Sequence, residues 1–521
     1  MEIFHIPKTF LRKTFLRKKM LNVAAFSSLC PKSCKFACII YTTTCDKDLS
    51  MNRQRNWTKV IAAAALLMMP GHIGAQSDSL ATGQGGASQP SPNELNFGMN
   101  VLMHGEACSG GMPRSGDIGS DEDKSRFMVG RIRMNVDYRR RGLQAHAVVQ
   151  NNAIWGMKGN NALTLYEGWV KLTAGNGLFA QMGRIALAYD DERIIGPNDF
   201  ATAAASHDVL RLGYEGHVHK AHAILAYNQN GDNYYNGTYY ENGAQLYKTM
   251  QTLWYHCDVP RFPLGVSLLF MNIGQQAGRY VEVDDEAGGK KKVPDEHNRP
   301  RTEYQQMFGG YVTLHPDHLT LEGSYYRQTG MVVDDSKSAT KIRAWMVSAK
   351  ATIAPTDQYG FTLGYDCLSG DDYVPVVYGG AIGLPLHETE GGFTPLYGSR
   401  TKFYGILDYY YASAYTQGFT PGLQNAYIGI FGRPTPKLKC HAVYQYLATA
   451  TELNDLNRTL GHAINLIARY EFSKDVSLMA GYTFMTGTET MDRLKQGSAS
   501  KQARWGWFSL VVSPSLFTTK W

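Results

Sequence analysis

The chain has 521 residues, with 53 Gly, 32 Tyr and a charged fraction of 19%, below the roughly 25% of an ordinary soluble domain. Aromatic residues reach 12%, which excludes a disordered protein, and no stretch after the N-terminal region has the roughly 20 consecutive apolar residues of a membrane helix. The net charge of +7 arises in the first 75 residues, because the remainder carries 40 basic and 42 acidic residues, and it therefore does not indicate a nucleic-acid partner.

Residues 51–75 have the pattern of a secretory signal peptide. Three basic residues, Arg53, Arg55 and Lys59, precede an apolar centre at 60–69 and a small-residue cleavage site. This apolar centre is too short to span a bilayer stably. The pattern predicts export through the periplasm, with the mature chain starting near residue 76.

A signal peptide must lead the chain that it directs, so we interpret residues 1–50 as an upstream extension translated from a misplaced start. The four Cys of this stretch could instead indicate a metal site, but their spacing matches no zinc pattern. Residues 76–94 are rich in Ser, Gly and Pro and are expected to be a flexible lead-in. Residues 95–521 then form the folded domain.

The dominant pattern from residue 95 onward is the alternation of apolar and polar residues in segments of about ten residues. In the segment near residue 130, for example, Ile132 and Met134 share one face, and Arg131 and Arg133 share the other. Such alternation is typical of a soluble sheet with its apolar face inward and also of a membrane barrel with its apolar face toward lipid. Alternation alone does not separate the two.

Three further features favour a membrane barrel. The segments are joined alternately by short turns, such as 141–142 and 473–475, and by long polar connections, such as 230–249 and 369–401. Tyr and Trp gather near segment ends, as expected at a membrane interface. The chain ends in Trp521, which resembles the targeting signal of bacterial outer-membrane barrels. The sequence therefore predicts an all-β fold, a transmembrane antiparallel β-barrel of about 18 strands.

Nineteen segments have strand character, whereas a barrel with both chain termini on the periplasmic side requires an even number of strands. Following the short turns inward from each end locates the error between residues 402 and 447, and the total should be 18 or 20. The segments are 95–104, 126–139, 143–152, 162–173, 178–188, 207–215, 218–229, 250–257, 264–274, 304–315, 319–328, 342–353, 358–368, 402–412, 423–431, 437–447, 462–472, 475–485 and 504–513.

Several motifs resemble those of the alginate-export family of outer-membrane porins. The central motif is GRIALAYDDERIIG at residues 183–196, and two others are GYDCLSGDD at 364–372 and the segment 393–409. The resemblance implies an 18-stranded barrel that passes anionic polysaccharide or smaller polar solutes. Cys367 stands where the family pattern has an aromatic residue, so the resemblance predicts the barrel better than it predicts the substrate.

A channel for anions needs fixed positive charge in a narrow part of the lumen, and Arg suits this role because its rigid fork grips carboxylates bidentately. Charged residues on the predicted lumen face are the candidates for selectivity, with acidic residues holding the cations in a ladder. Such ladders could equally do no more than stiffen the wall, because polar lumen faces are general in porins. The candidates are Arg131, Arg133, Lys171, Arg184, Arg211, Arg469, Asp137, Glu167, Asp408 and Glu471.

Two other functions stay open. A barrel-based hydrolase is possible, although the sequence has no nucleophile elbow or nucleotide-binding motif, and His219 and His222 form no ligand set with a second shell. A closed structural or adhesive barrel would require a plugged lumen. No catalytic residue, metal or cofactor is predicted.

We therefore expect a porin of the bacterial outer membrane, not an enzyme, that passes polar, anionic saccharide-like solutes. Its expected partners are outer-membrane lipid, these small solutes and the barrel-assembly machinery, with no nucleic acid. The connections at 230–249 and 369–401 are the candidates for a constriction, and the oligomeric state is left open.

Overall fold

A computed structural model of the protein describes residues 93–110, 124–157, 161–200, 204–229, 245–284, 289–371, 376–378, 381–383, 389–405, 420–453, 456–495 and 502–521. The predicted upstream extension, the signal peptide and the lead-in up to residue 92 lie outside the described residues.

The wall of the molecule consists of eighteen antiparallel strands. They are β1 Glu94–Ser109, β2 Lys124–Arg140, β3 Leu143–Ile154, β4 Asn161–Thr173, β5 Leu178–Ile185, β6 His207–Glu215, β7 His219–Tyr227, β8 Thr249–Asp258, β9 Leu264–Ala277, β10 Arg301–Leu314, β11 Leu319–Val333, β12 Ala344–Thr356, β13 Tyr359–Leu368, β14 Leu423–Thr435, β15 Leu438–Ala448, β16 Thr459–Ser473, β17 Val476–Gly487 and β18 Ala503–Val512.

Each strand pairs with the next one along the chain, and the first strand closes the barrel against the last. In this closing pair Val101 lies opposite Val512, and Ser109 lies opposite Arg504. A short strand, Ser515–Lys520, continues β18 and pairs with the start of β1. The predicted fold class, an all-β transmembrane barrel of about 18 strands, is confirmed.

The predicted strand at 402–412 is wrong. The pairing of β13 with β14 is direct, with Leu368 opposite Leu423 and Gly360 opposite Phe431, so no strand fits between them. Residues 400–402 form a short 3-10 helix instead, and residues 406–412 lie outside the described part of the chain. Removing this segment from the predicted list leaves the even number that barrel closure needs.

The alternation of side chains is that of a barrel in lipid. On β16, Ile464 and Leu466 are 42% and 47% exposed on the outer wall, whereas Asn465 between them is 1% exposed and faces the lumen. Because the apolar residues are outside and the polar ones inside, this wall needs a membrane around it. Among the described residues, no helix is long and apolar enough to cross a membrane.

The two ends of the barrel differ. Eight turns of two to five residues join the strands at one end, and both ends of the described chain meet there, with the Asn93 amide donating to the Trp521 carbonyl over 2.8 Å. The other end carries the long connections. Short elements in or beside them are the strands Tyr280–Asp284, Lys290–Pro294, Ala339–Ile342, Val376–Tyr378, Ala381–Gly383 and Thr389–Glu390, and the helix Glu489–Lys495.

Candidate functional site

The connection between β5 and β6, residues 186–206, folds into the lumen. Apolar side chains in this stretch provide the reason, because Leu187, Ile194 and Ile195 are all at most 3% exposed against the inside of the wall. Asp190 and Glu192 have φ of 53° and 65°, so the chain turns tightly between these apolar residues. The sequence prediction of the constriction missed this connection.

A second connection meets the first inside the barrel. Residues 389–405 run beside it, with Ile195 and Tyr397 forming a parallel bridge and the Ser399 hydroxyl donating to the Glu192 carboxylate over 3.0 Å. The predicted constriction at 369–401 therefore overlaps a segment that folds inward. Of the other candidate, 230–249, residues 230–244 lie outside the described residues.

A buried ion cluster joins the two connections to the wall. Arg193 Nη1 lies 3.0 Å from Asp366 Oδ1 of β13, and Arg193 Nε donates to Asp191 over 3.1 Å. The same guanidinium donates to the Tyr404 hydroxyl over 3.2 Å and lies 4.0 Å above the Phe403 ring. Arg193 and Asp366 are only 3% and 1% exposed, so each charge depends on the other for compensation.

The electrostatic balance of the first connection follows from burial. Burial by itself lowers the pKa of Arg193, but Asp366 and the other acidic groups around it, Asp191 and Tyr404 among them, together outweigh burial, so the pKa of this guanidinium is raised well above its usual value. Burial also raises the pKa of Asp190, which belongs to the connection and not to a strand, to about 6. The Asp190 carboxylate accepts a hydrogen bond from Trp254 Nε1 at 3.1 Å.

A ladder of polar side chains extends from the ion cluster along the inner wall. Asn425 donates to Asp366 over 2.9 Å, Gln445 to Asn425 over 3.0 Å, Asn465 to Gln445 over 2.8 Å, and Thr483 to Asn465 over 2.9 Å. These residues stand on five consecutive strands, β13 to β17. Each side chain is hydrogen-bonded to the next, which ties five strands together on this side of the lumen.

On β2, three strands beyond the end of this ladder, the structure brings Arg131 and Arg133 together on one carboxylate. Asp199 Oδ1 lies 2.5 Å from Arg133 Nη1 and 3.3 Å from Arg131 Nη1, and Arg131 also donates to the Asp199 carbonyl over 2.9 Å. The two Arg side chains are nearly buried, whereas the Asp199 side chain is 46% exposed to the lumen. Asp199 belongs to the inward-folded connection.

The wall holds Arg133 in place from two further directions. Arg133 Nε donates to Gln150 of β3 over 2.7 Å, and its guanidinium lies 3.8 Å above the Tyr166 ring. Strict alternation would place Tyr166 on the membrane side of β4. A β-bulge, at which Val148 pairs with Glu167 and Val149 with Leu165, turns it inward instead.

Three more predicted cations face the lumen and contact polar partners there. Lys171 Nζ lies 2.9 Å from Glu215, and Arg211 donates to the Tyr189 hydroxyl over 3.3 Å and to Gln181. Arg469 Nε lies 3.5 Å from Glu471, whose carboxylate also accepts from Lys439 over 2.7 Å.

The predicted acidic residues Asp137 of β2 and Glu167 of β4 lie on the lumen side, on either side of β3. His146 stands between them, with Nδ1 2.5 Å from Asp137 and Nε2 3.8 Å from Glu167. Glu167 also accepts from Trp169 Nε1 over 3.2 Å. The remaining predicted acid, Asp408, lies outside the described residues.

The predicted lumen position of Arg184 is wrong. It lies on the outer side of β5, the same side as Met182, which is 69% exposed. Its guanidinium forms a bidentate ion pair with Asp208 of β6, with hydrogen bonds of 2.8 and 2.7 Å. The lumen side of β5 belongs to Phe179, Gln181 and Ile185 instead. Arg184 is thus part of the outer surface and does not reach the channel.

The lumen residues that sequence reasoning missed are Arg193 and Asp199. Both lie in a connection, where alternation carries no information about facing. The apolar pair Ile194 and Ile195 next to Arg193 was the available signal, because two adjacent Ile residues in an external loop would be exposed without compensation.

Solved structures of similar fold include three Pseudomonas aeruginosa proteins. OccK5 (OpdH) is 10% identical with a TM-score of 0.51, and the match covers 81% of this chain and 99% of that one. OpdO is 11% identical with a TM-score of 0.52, and the match covers 81% of this chain and 98% of that one. OpdQ is 12% identical with a TM-score of 0.50, and the match covers 82% of this chain and 98% of that one. No protein-family model matches the sequence, and no curated protein matches it.

The three similar structures are outer-membrane porins. At this level of identity the likeness shows the fold, an 18-stranded barrel, and the resemblance to the alginate-export family stays a prediction. The apolar outer wall and this fold place the chain in the bacterial outer membrane.

Proposed function

We propose that this protein is a passive diffusion channel that favours small anionic, saccharide-like solutes. The observation that carries the proposal is the pair Arg131 and Arg133 on the lumen wall, which shares a single carboxylate. Among the described residues, these two fixed cations share the Asp199 carboxylate at a place where the lumen is narrowed by an inward-folded connection, and they supply positive charge there. Such a site attracts anions and repels cations.

The arrangement holds the positive charge in place. Arg133 is nearly buried and is held by Gln150 and Tyr166, so its charge acts on a passing anion through its field, without any rearrangement of the side chain. Aromatic side chains such as Trp169 and Trp254 line the same inner wall and offer flat surfaces for sugar rings. Transport without chemistry also agrees with the neighbouring structures, which are porins and not enzymes.

The test is a planar-bilayer measurement on the refolded barrel under a salt gradient. The unmodified protein should show discrete conductance steps and a reversal potential on the anion side. The double variant Arg131→Gln, Arg133→Gln should move the reversal potential toward the cation side, whereas Arg184→Gln, an Arg on the outer wall, should not.

Two results would refute the proposal in different ways. A folded barrel without conductance would contradict the channel itself. A conducting barrel whose reversal potential is the same in the double variant would contradict the role of the arginine pair.

A further inference from the structure

A groove on the outer wall, of about 1140 Å³, crosses the strands from β5 to β11. Small residues, among them Ala221, Ala223 and Gly310, face outward at its floor, where a larger side chain would fill it. Exposed apolar side chains such as Leu253 and Phe270 form its sides. The groove opens toward the membrane and not toward the lumen.

Polar groups border this groove on the side of the long connections. Gln251 of β8, Asn272 of β9 and Gln306 of β10 lie next to one another on the outer face, one pleat above Leu253 and Phe270. Asn272 donates to Gln251 over 2.7 Å, and Gln306 donates to Asn272 over 2.9 Å. We refer to these three side chains as the amide row.

The amide row lies near the upper edge of the apolar band. Eight residues of β9 separate it from the start of the strand, which corresponds to about 20 Å of height at a strand tilt of roughly 40°, against an apolar band of about 25 Å. Amides deep in hydrocarbon are costly even when paired, so this height, at the interface with the headgroups, is where they are tolerated.

A cation stands beside the groove at the same end. Arg327 of β11 is exposed on the outer face, with Phe308 opposite it on β10 and Trp345 opposite it on β12. It lies two residues from Tyr325, which lines the groove. A ligand with an apolar body in the groove would therefore meet amide hydrogen-bonding groups and one positive charge at its upper end.

We propose that this groove is a binding site for an anionic lipid of the membrane leaflet on the side of the long connections. The acyl chains occupy the apolar groove, and a phosphate of the headgroup contacts Arg327 and the amide row. Apolar fit alone would suit any membrane lipid, but the cation and the amides select a phosphate-bearing headgroup. This site is independent of transport through the lumen.

The test is native mass spectrometry of the barrel in a mild nonionic detergent, titrated with lipid A as the probe. The unmodified protein should bind lipid A as a discrete adduct. Arg327→Gln should lower the affinity roughly fivefold, the effect of one basic residue near an anionic membrane surface. Ala223→Phe should fill the groove and remove the adduct.

Matched controls lie elsewhere on the outer face. Arg504→Gln removes another exposed Arg, at the long-connection end of β18, and Ala480→Phe enlarges another outward-facing Ala, on β17. Both should bind lipid A as the unmodified protein does. Retained heat-modifiable migration on gels would show that every variant is folded.

Three outcomes would overturn the proposal. The first is equal lipid A binding in all variants, and the second is equal binding of dephosphorylated lipid A by the unmodified protein. The third is a protein dimer that Ala223→Phe abolishes, because the groove would then bind a second copy of the chain.

Discussion

Replacing Asp199 with Asn examines the arginine pair without removing either Arg. In the structure the Asp199 carboxylate is the anion that Arg131 and Arg133 share, and it projects from the connection into the lumen. Asn has the same shape, and its side-chain oxygen can still accept from Arg133. The substitution therefore removes one negative charge and changes the geometry little, so we expect a stronger preference for anions.

The size of this effect follows from Coulomb's law. A monovalent anion about 7 Å from the Asp199 carboxylate is repelled by roughly 0.6 kcal/mol at the dielectric constant of water and by roughly 2.4 kcal/mol at an effective value of 20. The Asp199 side chain is 46% exposed, so solvent screening favours the lower half of this range. A change of about 1 kcal/mol corresponds to roughly a fivefold rise in the anion-to-cation permeability ratio.

The assay compares reversal potentials for KCl and for potassium glucuronate at low and at high salt. The shift should be largest near 10 mM salt and should shrink near 1 M, where the screening length falls to about 3 Å. Asp137→Asn is the matched control, because it removes a lumen carboxylate that pairs with His146 and not with the arginine pair. An unchanged reversal potential in Asp199→Asn, or an equal shift in Asp137→Asn, would contradict the role of Asp199 beside the arginine pair.

Other predictions concern the connection and the outer wall. Arg193→Met leaves Asp366 buried without its cation and should lower the free energy of unfolding by roughly 3–5 kcal/mol, measured by denaturant titration, with Arg193→Lys retaining part of it. The double variant Arg184→Gln, Asp208→Asn removes a partly exposed outer pair and should cost at most about 1 kcal/mol in the same titration; a loss as large as that of Arg193→Met would contradict the outer placement. The Asp190 carboxyl, with its pKa raised to about 6, stabilises the folded connection fully below about pH 4, and this contribution is lost as the pH rises through 6. Limited proteolysis of the connection should therefore be faster at pH 7.5 than at pH 4, and a rate that does not depend on pH in Asp190→Asn would confirm the assignment.

Much of the barrel could be predicted because the alternation of residues along each strand indicates which side chains face the lumen and which face the membrane. On β2, the alternation of Ile132 and Met134 with Arg131 and Arg133 follows from the two-residue period of a strand, and both Arg residues do face the lumen. The count of 18 also follows from closure, once the segment at 402–412 is removed. That segment was misjudged because Phe403 and Tyr404 are apolar enough for a strand but bury themselves inside the lumen.

Alternation did not predict the side that a residue faces where the backbone is irregular or where polar side chains occur on both faces of a strand. The bulge in β4 turns Tyr166 from the membrane side to the lumen side, and no residue in the sequence indicates that a bulge is present. Arg184 was placed in the lumen by its charge, yet its pairing with Asp208 allows it to stand on the outer wall. A charge can be tolerated on either side of the wall if a neighbouring strand supplies a partner of opposite charge. Which residue becomes that partner depends on the register of the two strands, which the sequence of one strand does not contain.

An all-β barrel in the outer membrane could be predicted from the order of the residues, because period-2 alternation and connection lengths are local features of the chain. The contacts of Asp199 with Arg131 and Arg133, and of Arg193 with Asp366, became known from the folded structure. These partners are 66 to 173 residues apart and are brought together by the closed barrel and the connection folded into it. The charge of the lumen depends on these long-range pairs, so it is a property of the fold that no single segment contains.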